Sequence, residues 1–377
     1  SGLEKHYESF LMGKRGSYFY EVDASGREVG SASELNDTRP IPGGNIQTTI
    51  DLNLQMYCEK LMKDKKGVVL VGEPESGGIL AAVSSPDYPP DFFTGLITEF
   101  EWENIKNNPD KPLMNRYLQG TYIPGSIVKM ITQVTLLESE HFNKDTKQYC
   151  PGFYQFGDRI FGCWFTEGHG EINLNEAISV SCDVFFYKTI KQIKINTLHD
   201  SFKQFGFGLK TKIDIPNEVS GLIPDRNYML KRYGKYGWSQ GVLLNLAIGQ
   251  GELLVTPIQV LNYVNLLATK GTSPSCHFVF VDNLPDNVKP VLKNDIWDNI
   301  HEGLRAAIVS ENGTGKKANL NLEGFKLYGK TGTAENSHGD DHAWFVGWTD
   351  YKNEKHSIVI LLENAGSGGS VAAPIAR

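Results

Sequence analysis

The stretch Tyr122-Ile-Pro-Gly-Ser-Ile-Val-Lys-Met130 decides how the rest of the chain is read. Pro124 and Gly125 break regular structure, and an apolar run (Ile127, Val128, Met130, Ile131, Val134, Leu136, Leu137) follows at once. That order predicts a turn opening into a buried helix. Ser126 then stands at the helix N-terminus, with Lys129 three residues on and on the same face. A hydroxyl and an amine one turn apart, at the positive end of a helix dipole, suit a serine nucleophile with a lysine base. Alone, Ser-x-x-Lys reads first as an N-cap serine and a solvated lysine, so its meaning rests on the remaining chain.

The chain has 377 residues, enough for one large domain or two with ample core. A formal net charge of −7 argues against a nucleic-acid surface. No apolar run reaches the length of a membrane span, and no signal peptide is visible. Five scattered cysteines (Cys58, Cys150, Cys163, Cys182, Cys276) are too few for a disulfide framework.

Residues 1–45 alternate short strand-like pieces with turns and carry too little apolar content for a core of their own. They read as the end of a preceding module or a platform under a main domain of residues 46–377. Asp51 begins a helix over 51–63, with Leu54, Tyr57, Cys58 and Leu61 on its apolar spacing. Residues 67–72 and 79–85 read as a hairpin, and 98–107 as a short helix in a proline-rich loop. Residues 149–170 read as irregular and 172–195 as one helix. A short helix at 202–206 is followed by loops to 235. Pro257 opens a strong helix to 269, and 295–309 form another. Three strands, 325–330, 342–349 and 356–363, close the chain. Strands at both ends with helices between predict an α+β domain, one antiparallel sheet joining the hairpin to the last three strands.

Two further stations follow the first in order: Ser181-Cys182-Asp183 opening a helix, and Lys330-Thr331-Gly332-Thr333 at a strand end. Ser-x-x-Lys, Ser-x-Asn and Lys-Thr-Gly in this order mark the penicillin-recognising serine enzymes. Gly249-Gln250-Gly251 with Thr256-Pro257, Thr49-Ile50-Asp51 and His342-Ala-Trp-Phe-Val-Gly347 extend the match over about 46–377. The chain resembles the transpeptidase domain of a class B penicillin-binding protein, with its serine β-lactamase-like fold. Asp183, where most of the superfamily has Asn, resembles the rod-elongation branch. So does the opening Gly2-Leu3-Glu4 with Gly13-Lys14-Arg15-Gly16, like the end of that branch's platform domain.

The resemblance implies the chemistry. Ser126 attacks the carbonyl between the two terminal D-alanines of a peptidoglycan stem peptide. Lys129, kept neutral by burial and by the nearby Lys330, takes its proton. Asp183 helps hold Lys129 or Lys330 in place. Backbone N–H groups of Ser126 and Thr333 bind the oxyanion, a donor there being worth roughly 3–4 kcal/mol. Ser181 relays a proton to the leaving amine, and Lys330, Thr331 and Thr333, with Gly332 between, hold the substrate carboxylate. An amine from a second stem peptide then closes the cross-link. β-Lactams would acylate Ser126. By the same resemblance, the whole protein is held in the bacterial inner membrane by one N-terminal helix outside this chain. Its catalytic domain is then periplasmic, working with a polytopic glycan polymerase and other elongation-complex proteins. No organic cofactor is implied. For Gln250 and Thr256 the structural reading is preferred: a tight turn and a helix start.

Cys150, Cys163, His169 and Cys182 have the ligand types of a Cys₃His structural zinc site, and a metal would tie a loop with little structure of its own. The alternatives are a Cys150–Cys163 disulfide in an oxidising periplasm, or three buried thiols and a surface histidine. Through Cys182, a zinc ion would fix the second motif in space. Competing functions are a D,D-carboxypeptidase or serine β-lactamase, which pass the acyl group to water, a penicillin sensor acylated without synthesis, and a scaffold with an idle site. The long 130–180 insertion favours the transpeptidase.

Overall fold

Five antiparallel strands make the central sheet, in the order Ile79–Ser85, Gly67–Gly72, Glu354–Leu362, His342–Tyr351 and Lys326–Ala334. The first hairpin and the last three strands therefore share one sheet, as predicted. The computed structural model describes residues 2–32, 36–140, 142–280, 284, 287–336 and 339–377. Alternation along Gly67–Gly72 shows why the sheet needs two partners. Val68 and Leu70 face the main core, whereas Val69 and Val71 face a second cluster with Cys58, Met62, Ile308 and Phe345.

The main core is built around two helices that are buried on nearly every side. In Pro257–Ala268 all residues are buried, and Thr256 caps it with Gln259 in a reciprocal box. In Lys129–Leu137, Met130, Ile131, Val134 and Leu136 are buried. Each fully buried Leu, Ile or Val there contributes roughly 1.5–3 kcal/mol, and buried polar residues such as Thr132 and Gln259 are bonded to backbone carbonyls.

Several sequence expectations are corrected. Leu52–Met62 is a helix capped by Asp51, but its buried residues are Cys58 and Met62, and Tyr57 is exposed. The single helix expected over 172–195 is two, Leu174–Ser179 and Asp183–Thr189, because Ser181 takes a positive φ of 57° between them. Ser181 therefore does not open a helix; Cys182 is the N-cap. The irregular stretch contains two small hairpin-like sheets, Gln148–Cys150 with Gly170–Ile172 and Phe153–Phe156 with Arg159–Gly162. Helices Ile195–Gln204 and Arg226–Tyr233 occupy a region expected to be mostly loop.

The N-terminal residues make a helix, Gly2–Leu11, and a small strand pair, Tyr20–Val22 with Glu28–Ser31. Residues 1 and 33–35 of the predicted platform segment lie outside the described residues. The segment meets the main body where the Tyr7 hydroxyl donates to Asp214 Oδ2 at 3.1 Å. Burial, then the Asp214 charge, pushes Tyr7 up to about 12. The same carboxylate accepts from the backbone N–H groups of Phe278 and Val279.

Candidate active site

The loop carrying Ser126, the candidate nucleophile, is fixed before its helix begins. Tyr122 pairs with Val255 through both backbone groups, and its hydroxyl donates to Glu363 Oε1 at 2.6 Å. Glu363 also accepts from the buried Arg116, whose other donors reach Pro86, Lys111 and Asp110 carbonyls. Trp344 Nε1 donates to the Ile123 carbonyl, and Gly125 N to the Gly249 carbonyl at 2.9 Å. Gly125 has φ of 58°, and a Cβ there would meet the Thr333 carbonyl oxygen at 2.6 Å. Only glycine lets this loop lie against the third motif. Gly125–Val128 is a single 3₁₀ turn, and the α-helix starts at Lys129 itself. Ser126 is half-buried and lines an open cleft of about 1570 Å³. Among the described residues its hydroxyl makes no hydrogen bond.

Lys129 is fully buried, and its ammonium hydrogens are all engaged with the second motif. Nζ donates to the Ser181 carbonyl at 2.8 Å, to Ser181 Oγ at 3.3 Å and to Asp183 Oδ1 at 2.7 Å. The left-handed backbone at Ser181 aims its carbonyl and hydroxyl at one amine. Asp183 Oδ2 accepts from the Trp164 N–H at 3.2 Å, so this carboxylate joins Lys129 to the cysteine-bearing loop.

Lys330 lies on the sheet opposite Val346, with no exposed surface, and donates to the Thr331 carbonyl at 3.0 Å. Burial, then the Lys129 cation, holds its amine well below the ordinary lysine value, against the opposing pull of Asp183. The sequence reading made Lys129 the amine kept neutral and Lys330 the charge on the substrate carboxylate. In the structure Lys129 has Asp183 as its ion partner, whereas among the described residues no carboxylate pairs with Lys330.

The third motif fills the C-terminal half of Lys326–Ala334, finishing one residue before the strand ends. Among the described residues this strand is paired on one side only, and its Thr331 and Thr333 line the cleft. Gln250 Nε2 donates to the Thr333 carbonyl at 3.2 Å, which turns that peptide edge toward the nucleophile loop. Thr333 Oγ1 accepts from Gly368 N, and Thr331 Oγ1 donates to Thr314 Oγ1 at 2.8 Å. Gln250, Trp164 and Thr314 line the cleft with Ser126, Ser181, Asp183, Thr331 and Thr333. Gln250 thus does more than the turn assigned to it. Trp164 and Thr314 carried no signal in the sequence, standing in loops outside every motif.

The four predicted metal-ligating residues converge although their spacing is irregular. Cys150 ends one short strand, Cys163 follows another, His169 precedes a third and Cys182 caps a helix. His169 Nδ1 lies 3.7 Å from Cys150 Sγ and 3.5 Å from Cys163 Sγ, and one donor atom of each residue lies within 4.8 Å of the others. Gly168, at φ of 84°, is needed here, because a Cβ would meet the Cys150 carbonyl oxygen at 2.4 Å. All five cysteines are free, so no Cys150–Cys163 bridge is formed. A hydrogen bond from Cys182 favours the thiolate of Cys163 and holds it far below the usual thiol range, while pushing Cys182 up.

Comparison with known proteins follows the same lines. Residues 67–377 match the penicillin binding protein transpeptidase domain, and residues 1–48 the penicillin-binding protein dimerisation domain. The chain is 34% identical to the peptidoglycan D,D-transpeptidase MrdA of Haemophilus influenzae, over 100% of this chain and 61% of that protein. It is 31% identical to MrdA of Escherichia coli K12, over 98% of this chain and 62% of that protein. It therefore spans less than two thirds of the length of these relatives. The PBP2 of a complex with MreC from Helicobacter pylori superposes with a TM-score of 0.90 at 33% identity, covering 99% of this chain and 70% of that one. Pseudomonas aeruginosa PBP2 in complex with WCK 5153 gives 0.85 at 32% identity, covering 98% and 78%.

Proposed function

The chain belongs to the penicillin-binding protein transpeptidases of the rod-elongation, PBP2 type, and on that premise we propose that it carries the D,D-transpeptidase activity that cross-links peptidoglycan stem peptides. The observation that carries this reading is the convergence of Ser126, Lys129, Ser181, Asp183 and the edge strand on one cleft. A donor peptide adds to that edge in extended form, its D-Ala-D-Ala carbonyl over Ser126 and its carboxylate at Thr331 and Thr333. Lys129, once it has given up a proton of its own, takes the Ser126 proton, and Asp183 stabilises the ammonium that results. The Ser126 and Thr333 N–H groups hold the oxyanion. Ser181 passes a proton to the departing D-alanine, and the amine of a second stem peptide displaces Ser126 from the acyl-enzyme.

Cys150, Cys163, His169 and Cys182 are proposed to hold a structural zinc ion. A zinc tetrahedron, with bonds of about 2.3 Å to sulfur and 2.0 Å to nitrogen, needs donors roughly 3.5–3.8 Å apart, close to the spacings from His169. A thiolate favoured at Cys163 suits the same ion. The ion would supply no reaction step; it would anchor Cys182 and the loop whose Trp164 N–H holds Asp183. Residues 1–45 are taken as the end of a platform domain, supporting residues 46–377. MreC in the H. pylori complex and the peptidoglycan synthase complex of another related structure support elongation-complex partners. The substrate places the catalytic domain in the periplasm, and a membrane anchor would lie outside this chain. No helix among the described residues is long and apolar enough to cross a membrane.

Labelling with a fluorescent penicillin tests the central assignment. Wild type should be labelled at Ser126 and release the acyl group slowly, and Ser126→Ala should take none. Equal labelling of both would overturn the nucleophile; rapid release from wild type would favour a hydrolase.

A further inference from the structure

The third motif leaves a question of charge and donors at its edge. A carboxylate bound beside Thr331 and Thr333 needs hydrogen-bond donors, and Lys330 does not reach the cleft surface: it has no exposure and donates to the Thr331 carbonyl. The donors within reach are hydroxyls. Thr333 Oγ1 already accepts from Gly368 N, which leaves its own hydrogen to point outward. Thr331 Oγ1 is bonded to Thr314 Oγ1 at 2.8 Å, and two hydroxyls sharing one hydrogen keep one O–H for a third partner. With Thr331 as the donor within the pair, the remaining hydrogen sits on Thr314, which lines the cleft.

Thr314 is also held firmly. Its N–H donates to the Ser179 carbonyl at 3.3 Å, two residues before Ser181. Its neighbours are fixed through Gly313 N to Ser310 and Gly315 N to Ala307. The residue therefore joins the helix that leads into the second motif to the strand that carries the third.

We propose that Thr314 is a further binding residue for the terminal carboxylate of the donor peptide, and of β-lactams, acting as the outward donor of the Thr331–Thr314 hydroxyl pair. The inference rests on the transpeptidase reading above. Chained hydroxyls polarise one another, so the outer donor of the pair is stronger than a lone threonine. Two penicillins separate this role from a merely structural one: benzylpenicillin, and its methyl ester, which lacks the negative charge.

The test measures second-order acylation constants of wild type, Thr314→Val and Thr314→Ser with both compounds. A hydrogen bond to a charged group supports a loss of roughly tenfold or more when it is removed. Thr314→Val should lose that factor with benzylpenicillin and be within about twofold of wild type with the ester, whereas Thr314→Ser should match wild type with both. Taking the acid-to-ester ratio within each protein corrects for any misfolded fraction. An unchanged ratio in Thr314→Val overturns the proposal, whether both rates fall together or neither does. A wild type acylated by neither compound would instead overturn the transpeptidase reading, and this proposal with it.

Discussion

Replacing Asp183 with Asn isolates what the carboxylate of the second motif does. The side chain is only 11% exposed, so solvent screens it little. Asn keeps one acceptor for Lys129, now 2.7 Å away, but gives up the negative charge. A hydrogen bond to an ionic pair contributes about 1.5–3 kcal/mol net and a neutral one about 1, so this contact loses about 1–2 kcal/mol. The amide also turns a donor toward the Trp164 N–H, which Oδ2 now accepts at 3.2 Å. A buried N–H left without an acceptor costs about 1–3 kcal/mol. Together Asp183→Asn should destabilise the fold by about 2–5 kcal/mol. If Asp183 stabilises the Lys129 ammonium as Ser126 attacks, the first loss also enters the barrier, slowing acylation roughly 5- to 30-fold. Stopped-flow acylation by a chromogenic cephalosporin separates the binding and chemical steps, and thermal unfolding of the same samples gives the stability change. An unchanged chemical step in a destabilised protein would refute the mechanistic reasoning and leave Asp183 a folding residue.

Other expected outcomes can be checked independently. Gly125→Ala should fold yet acylate at least about 100-fold more slowly, because its Cβ would force the nucleophile loop off the third motif; near-normal acylation would contradict this. Elemental analysis should find about one zinc per chain. Strong chelation should lower the melting temperature and open Cys150 and Cys163 to alkylation, whereas trace metal with freely alkylated thiols would end the zinc assignment. For Lys330 the folded state holds the amine well below 10.5, so it binds fewer protons than the unfolded chain, and stability rises with pH between that lowered value and 10.5. Lys330→Met should remove this rise and gain about 1–4 kcal/mol near neutral pH while impairing acylation; denaturation curves across pH that match wild type would refute it.

Much of the sheet could be read from the chain because its strands carry dense apolar runs, and the three motifs lay in a diagnostic order. The break at Ser181 could not be read. Apolar spacing continues from Ile178 to Phe185 across it, and a serine at positive φ leaves no compositional mark. The small sheets of 148–172 were hidden for the opposite reason: Phe153–Phe156 and Arg159–Gly162 are short and mostly exposed or half-buried, without the dense apolar run of a core strand. The Cys₃His convergence was visible in ligand types alone, whereas its closeness depends on those unread strands. The division of charge between Lys129 and Lys330 was the hardest part. It depends on which amine meets Asp183, and that is set by the fold of Ser181.

The two margins of the central sheet are treated in opposite ways. At Ile79–Ser85, Gln55 folds its side-chain amide over the outer backbone, donating to the Ala82 carbonyl at 3.1 Å and accepting from its N–H at 2.7 Å. A glutamine there acts as a counterfeit strand and closes that margin to other chains. Closing the margin at Lys326–Ala334 in this way would block the peptide proposed to add there. Unpaired strands ordinarily recruit one another into aggregates, and proteins guard them with proline, lysine or a covering element. Here that defence must come from elsewhere. The cleft is also walled by Ser126 and by residues within 159–169, and a net charge of −7 keeps copies of the chain apart. Crowded or high-salt conditions that screen this repulsion should expose the catalytic margin as the chain's point of self-association.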